Sequence, residues 1–80
     1  MTSKYVEIHG INDLTSFVQM ATAVDGDVTC KKGKYVVDGK SLMGVMSIDI
    51  STGVTIEYPP DAFEFENFIN QFVPISKREG

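Results

Sequence analysis

Ser41 is the residue of this chain whose position best suits it to chemistry. It directly precedes an apolar stretch, residues 42–48, and so sits where a helix N-cap belongs. A serine hydroxyl at an N-cap accepts a backbone N–H, and a phosphate on that hydroxyl would meet the positive end of the helix. Ser41 is therefore predicted to be a helix cap and a candidate site of regulatory phosphorylation.

The apolar residues of the stretch 42–48 are too widely spread for one small helix to bury. At about 100° per residue they occupy an arc of roughly 220°, whereas a one-sided helix needs a stripe only somewhat wider than about 100°. If Val45 and Ile48 face the core, the other apolar side chains turn toward solvent or lie at the boundary. Exposed thioethers suit adaptable binding surfaces. We therefore predict a partner-binding surface, here named the methionine surface, that consists of Leu42, Met43 and Met46.

Few other side chains are arranged for chemistry. The sequence contains no Gly-rich phosphate loop, no metal-ligand cluster and no nucleophile-base pair. Glu64 and Glu66 lie two residues apart on a predicted helix, so they point in different directions. Cys30 is the only cysteine, which excludes an intramolecular disulfide, and its alternating run suggests a small buried hydrophobe. We expect no cofactor, no metal and no enzymatic activity.

Length and charge limit the kinds of protein this can be. The 80 residues are 42% hydrophobic and 22% charged, which is typical of one ordinary globular domain spanning residues 1–80. The net charge is −4, so the chain lacks the overall positive charge that nucleic-acid binding needs. The N-terminal residues have no apolar signal segment, and no stretch approaches about 18 uninterrupted apolar residues. The sequence therefore predicts a cytoplasmic protein that binds neither nucleic acid nor membrane.

Hydrophobic periodicity predicts the element order β-α-β-β-α-β-α. The first helix is expected to be capped by Asn12 or Asp13, and Asp61 with Glu64 resembles a capping pair at the start of the last one. Since strand faces alternate between polar and apolar, one four-stranded antiparallel sheet should carry three helices on one face. This is an α+β open-faced β-sandwich. The predicted strands are residues 4–9, 27–31, 35–38 and 54–58.

Residues 39–48 resemble the regulatory-serine segment of HPr, the histidine-containing phosphocarrier protein of the bacterial sugar phosphotransferase system. Phe17, Val18 and Gln19, followed by a small-residue helix, match the family at its spacing from Ser41. The resemblance implies the HPr-like fold rather than a ferredoxin-like domain, which shares the first six elements. It also implies that HPr kinase/phosphorylase phosphorylates Ser41.

An HPr that carries phosphate has a histidine capping its first helix, in a motif that reads Gly-Ile-His-Ala-Arg-Pro-Ala. Aligned without gaps, Gly10 stands at the histidine position, Asn12 at the arginine and Asp13 at the proline. Aligning Gly10-Ile11 with the motif's Gly-Ile puts Asn12 at the histidine instead. His9, the only histidine, lies one position too early, at a strand end. The resemblance thus implies a degenerate active-site loop made of Gly10, Asn12 and Asp13.

Loss of the histidine motif implies a regulatory or protein-binding module that does not transfer phosphate and is switched at Ser41, like the catabolite-repression paralogue of HPr. The implied partners are phosphotransferase components, HPr kinase/phosphorylase or a transcriptional regulator. Two alternatives stay open at this point. One is an active phosphocarrier that uses His9 as a weak candidate acceptor, and the other is a ferredoxin-like, ligand-binding regulatory domain.

Overall fold

Four strands form one antiparallel sheet in the order β1-β4-β2-β3 in the computed structural model, which describes residues 1–77. β4 lies inside the sheet, and its alternating residues Val54, Ile56 and Tyr58 are all buried. The predicted four-stranded antiparallel sheet is confirmed. The strands are β1 (Thr2–Val6), β2 (Thr29–Lys32), β3 (Tyr35–Asp38) and β4 (Val54–Tyr58).

β2 and β3 form a hairpin whose turn depends on a glycine. Gly33 is the first of the two turn residues and has φ +59°, a conformation that glycine adopts without steric cost. Cys30 of β2 faces the core and is fully buried. Burial, with a smaller effect of Asp38, raises the pKa of its thiol to about 12. Cys30 is therefore a small core residue, as predicted, and not a reactive thiol.

Three α-helices of very different length cover one face of the sheet within residues 1–77. Phe17 of the first helix and Phe65 of the last pack with ring centroids 5.7 Å apart, and the ring of Tyr58 lies 5.5 Å from that of Phe65. The middle helix places only Val45 in the core. It is the shortest and least buried helix, as predicted. The helices are α1 (Ile11–Thr22), α2 (Leu42–Met46) and α3 (Phe63–Asn70).

The hydroxyl of Tyr58 shows how the core accommodates a polar group. It donates a hydrogen bond to Oε2 of Glu66 at 2.6 Å, so the buried ring carries a satisfied oxygen at its end. Burial and the neighbouring carboxylate raise the pKa of this phenol. The hydrogen bond joins β4 to α3 and fixes one end of the core.

The ends of three predicted elements, β1, β2 and α3, differ from the structure. β2 spans Thr29–Lys32 rather than residues 27–31, and β1 begins at Thr2 rather than at residue 4. β1 ends at Val6 rather than at residue 9, because its pairing partner β4 begins at Val54, directly opposite Val6. The predicted capping pair of α3 is wrong. The N–H of Ala62 donates to the carbonyl of Pro59, which forms a turn there, and α3 begins only at Phe63 without a side-chain cap. The predicted single domain, residues 1–80, extends beyond the described residues, since Arg78, Glu79 and Gly80 lie outside them.

Candidate functional site

Ser41 is the N-cap of α2. Its backbone is extended, with φ −105° and ψ 114°, and its Oγ accepts the N–H of Gly44 at 3.1 Å. A Cβ at position 44 would fit tightly, 3.3 Å from Ser41 Oγ and 3.4 Å from Val37 Cβ, so the cap would have to shift by a few tenths of an ångström. Gly44 thus allows the cap to close and α2 to approach β3.

The loop before Ser41 is held on both sides. Nζ of Lys40 donates to the carbonyl of Val24 at 2.9 Å, which ties this loop to the end of α1. On the other side, the N–H of Ser41 donates to the carbonyl of Asp38, the last residue of β3. No sequence pattern predicts this contact of Lys40, because a lysine in a polar loop looks like an ordinary solvated charge. The hydroxyl of Ser41 is therefore presented by a fixed loop.

The methionine surface is exposed, as the width of the apolar arc predicts. Met43 is 84% exposed, Met46 is 55% exposed and Leu42 is 37% exposed. Val45 and Ile48 face the core as expected. The exposure of these side chains is confirmed, and their role in binding a partner stays a prediction.

The start of α1 lacks the side-chain cap that the start of α2 has. Gly10 is its N-cap, with φ +86°, and no side chain makes a capping hydrogen bond there. Asn12 and Asp13 lie exposed in the first turn, so the prediction that one of them caps the helix is wrong. The carboxylate of Asp13 lies near the positive end of α1, which favours the helix. A glycine N-cap cannot be recognised from side-chain type, whereas Asn12 and Asp13 are residue types that commonly cap helices and so suggest a cap that the structure does not have.

His9 lies exposed just before this cap and within electrostatic reach of a carboxylate. The pKa of Asp49 is lowered chiefly because the hydroxyl of Ser51 donates to its Oδ1 at 2.6 Å. Lys32 and His9 lower it further through their charges. The only histidine of the chain thus lies directly before the N-cap residue of α1 and within electrostatic reach of an acidic group.

A shallow groove of about 260 Å³ lies between the start of α1 and the end of α2. It is lined by Gly10 and Ile11 on one side and by Met46 and Asp49 on the other. Ile11 is 56% exposed. It is not among the candidate site residues predicted from the sequence, because it falls outside the apolar stripe of α1. The structure thus brings Gly10 of the predicted degenerate loop next to Met46. The other predicted site residues lie outside the lining of this groove, namely Asn12, Asp13, Ser41, Leu42 and Met43.

Residues 1–77 lack two other kinds of feature, a metal-ligand group and a membrane-spanning helix. Within that range, His, Cys, Asp and Glu form no group that could hold a metal ion. The helices of the described part of the chain are all too short or too polar to cross a membrane.

Bacterial HPr proteins have the same fold as this chain. HPr-C-His from Thermoanaerobacter tengcongensis matches with a TM-score of 0.73 and 24% identity over 89% of each chain. Phosphocarrier protein HPr from Bacillus anthracis str. Ames matches with a TM-score of 0.66 and 28% identity over 89% of this chain and 95% of that one. The histidine-containing phosphocarrier protein of Mycoplasma matches with a TM-score of 0.65 and 21% identity over 88% of this chain and 86% of that one. The predicted HPr-like fold is confirmed.

The family model described as the PTS HPr component phosphorylation site matches residues 14–59, more than half of the chain. The chain belongs to this family of the phosphotransferase system, as predicted. The matched residues include Ser41 and the whole methionine surface, and they begin directly after Asp13. The ferredoxin-like alternative is wrong, because both the family match and the fold are those of HPr. No curated protein matches the chain.

Proposed function

We propose that this HPr-family protein is a regulatory, protein-binding module that is switched by phosphate on Ser41 and does not relay phosphate through histidine. One observation carries the proposal. The cap of α1 is a glycine without a side chain, whereas the cap of α2 is a serine beside an exposed apolar surface. The position that would need a nucleophile has none, and the position that would receive a regulatory phosphate has kept its hydroxyl.

Gly10 as the N-cap supports the ungapped alignment, in which Gly10 replaces the histidine that caps the first helix of a phosphocarrier. In that alignment Asn12 replaces the arginine and supplies no positive charge to a phosphate. Asp13 adds a negative charge in the same turn, which would repel one. Nucleophile and counter-charge are both missing from this loop.

His9 is the alternative acceptor, and its surroundings oppose that role. Phosphorylation would place negative charge near Asp49, whose lowered pKa keeps that carboxylate ionised. His9 also precedes the N-cap residue Gly10, whereas the histidine of a phosphocarrier is itself the cap of the first helix. An active phosphocarrier that uses His9 is therefore the less favoured function.

Ser41 combines two properties that a switch needs. Its Oγ already accepts a backbone N–H, so a phosphate there could accept such bonds and gain up to about 1 kcal/mol from the helix dipole. Leu42 and Met43 follow directly and are exposed. A partner could read the added charge and the apolar surface together, and so distinguish the modified protein from the unmodified one.

Proteins are the partners that this surface suits. Phosphotransferase components, HPr kinase/phosphorylase and a transcriptional regulator are the candidates, and none of them requires the module itself to act as an enzyme. Partners of this kind imply a cytoplasmic location. A single buried cysteine agrees with a reducing compartment.

A phosphotransfer assay tests the loss of the histidine pathway. Wild type and His9→Ala are incubated with phosphoenolpyruvate and the general phosphotransferase enzyme, with HPr from Bacillus anthracis as the positive control. We expect acid-labile phosphate on the control protein and none on either form of this chain. Phosphate on wild type that disappears in His9→Ala would instead establish the phosphocarrier function.

A further inference from the structure

β3 is an edge strand whose outer side has no partner within residues 1–77. It pairs with β2 alone, and the other edge of the sheet is β1. Two apolar side chains of β3 are unusually accessible, since Tyr35 is 69% exposed and Val36 is 61% exposed. An exposed edge with apolar side chains can pair with another strand through its backbone.

The hairpin register shows which backbone groups point outward. Lys32 and Tyr35 flank the two-residue turn and form the hydrogen-bonded pair next to it. Such pairs alternate in an antiparallel ladder, so the next pair, Lys31 with Val36, is not hydrogen-bonded. The N–H and C=O of Val36 therefore point to the free edge. The N–H of Asp38 does the same, while its C=O already accepts the N–H of Ser41.

The residues 34–38 are complementary to themselves when two copies run antiparallel. With Val36 opposite Val36 of a second copy, Lys34 stands opposite Asp38 of that copy and forms an opposite-charge pair. Tyr35 then stands opposite Val37, an aromatic and β-branched pair that also stabilises strands. The neighbouring symmetric registers would place Lys34 or Asp38 opposite valine instead.

The two charges of this register are available. Lys34 is exposed and, among residues 1–77, makes no ion pair, since the pair described there joins Lys31 to Glu57 at 3.1 Å. One carboxylate oxygen of Asp38 accepts the N–H of Lys40 at 2.9 Å, which leaves its other oxygen for an ammonium group. Asp38 is also exposed.

We propose that two copies of this chain associate through β3, antiparallel and centred on Val36. A two-fold axis then passes between the two valines and joins the two sheets into one. The helices of both copies lie on the same face of the joined sheet, which brings the two α2 helices toward each other because α2 packs against β3. The proposal does not depend on phosphorylation of Ser41 or on the proposed function.

Sedimentation of the full chain over a range of concentrations tests the association. Wild type should shift from monomer to dimer as its concentration rises. Lys34→Glu places like charges across the axis twice and should weaken the dimer by about tenfold in Kd. Asp38→Lys should do the same, and an equimolar mixture of the two variants should dimerise again, since both charge pairs become attractive. Circular dichroism verifies that each variant is folded.

Met43→Lys tests whether the dimer forms through β3 or through the methionine surface. It should leave the dimer intact, whereas Val36→Lys should abolish it.

A disulfide test of the same interface does not depend on affinity. Val36→Cys should cross-link two copies on oxidation, because hydrogen-bonded antiparallel pairs have Cα atoms about 5.5 Å apart. Ser3→Cys, on the opposite edge, should not. A wild type that stays monomeric, equal cross-linking at both positions, or loss of the dimer in Met43→Lys would overturn the proposal.

Discussion

The starts of α1 and α2 differ in what holds them in place. α1 has 12 residues and buries Leu14, Phe17 and Ala21, so the core fixes it without any side-chain cap. α2 has 5 residues, buries only Val45 and begins with a serine cap. A helix that is fixed by its core can change its cap residues and keep the fold, whereas a short helix depends on its cap. Under the proposed function, this difference explains how the start of α1 can lack phosphotransfer chemistry in a chain that keeps the HPr fold.

Core truncations should show this difference most strongly. Phe17→Ala should lower the free energy of unfolding by about 3–5 kcal/mol, because Phe17 is fully buried and packs on Phe65. Val45→Ala removes less buried surface and should cost about 2 kcal/mol. Denaturant unfolding measures both. The comparison fails if Val45→Ala costs as much as Phe17→Ala.

Phe63→Ala is the matched control for the loss of stability expected in Phe17→Ala. Phe63 is 68% exposed at the start of α3, so its truncation should change the free energy of unfolding by no more than about 0.5 kcal/mol. A larger loss would show that side-chain removal destabilises the protein regardless of burial.

Sequence reasoning found the elements and the exposure of α2, because periodicity and the width of an apolar arc depend on local spacing. It misplaced the cap of α1, since a glycine cap depends on backbone conformation rather than on side-chain type. It also missed the contact of Lys40 with Val24 and the groove between α1 and α2 that Ile11 lines. These features arise only when segments distant in the chain meet.

The serine cap of α2 should have a measurable effect on stability. Ser41→Ala removes the acceptor for the N–H of Gly44 and should cost about 1 kcal/mol of unfolding free energy. Ser41→Asp should recover most of this, because aspartate is also a good N-cap. Ser47, at the other end of α2, is the control. Its exposed hydroxyl donates to the carbonyl of Gly44, which water can solvate instead, so Ser47→Ala should cost less than about 0.5 kcal/mol. Equal losses of unfolding free energy in Ser41→Ala and Ser47→Ala would show that the cap has no special role in stability.

The cap of α1 should be sensitive to backbone conformation only. Gly10→Ala should cost about 1 kcal/mol or more, because φ +86° with ψ 150° is a conformation nearly restricted to glycine, even though no atom lies within 4 Å of the added Cβ. Asn12→Ala should be close to neutral, since Asn12 is exposed and makes no capping bond. Thermal unfolding would contradict this if the Asn12 variant were the less stable of the two.

Asp13→Asn should have the smallest effect. The charge of Asp13 near the positive end of α1 should contribute about 0.5 kcal/mol at low ionic strength. Unfolding measured at low and high salt should show the loss shrinking as salt screens the charge. A loss that does not depend on salt would mean that Asp13 acts through a hydrogen bond rather than through its charge.

Phosphorylation by HPr kinase/phosphorylase tests the central claim most directly. Wild type, Ser41→Ala and Ser47→Ala are treated with the kinase and ATP beside HPr from Bacillus anthracis, and mass spectrometry locates the phosphate. We predict phosphate on Ser41 of wild type and of Ser47→Ala, and none on Ser41→Ala. Equal phosphorylation of all three forms, or none of wild type while the control HPr is modified, would contradict the claim and leave Ser41 as a helix cap alone.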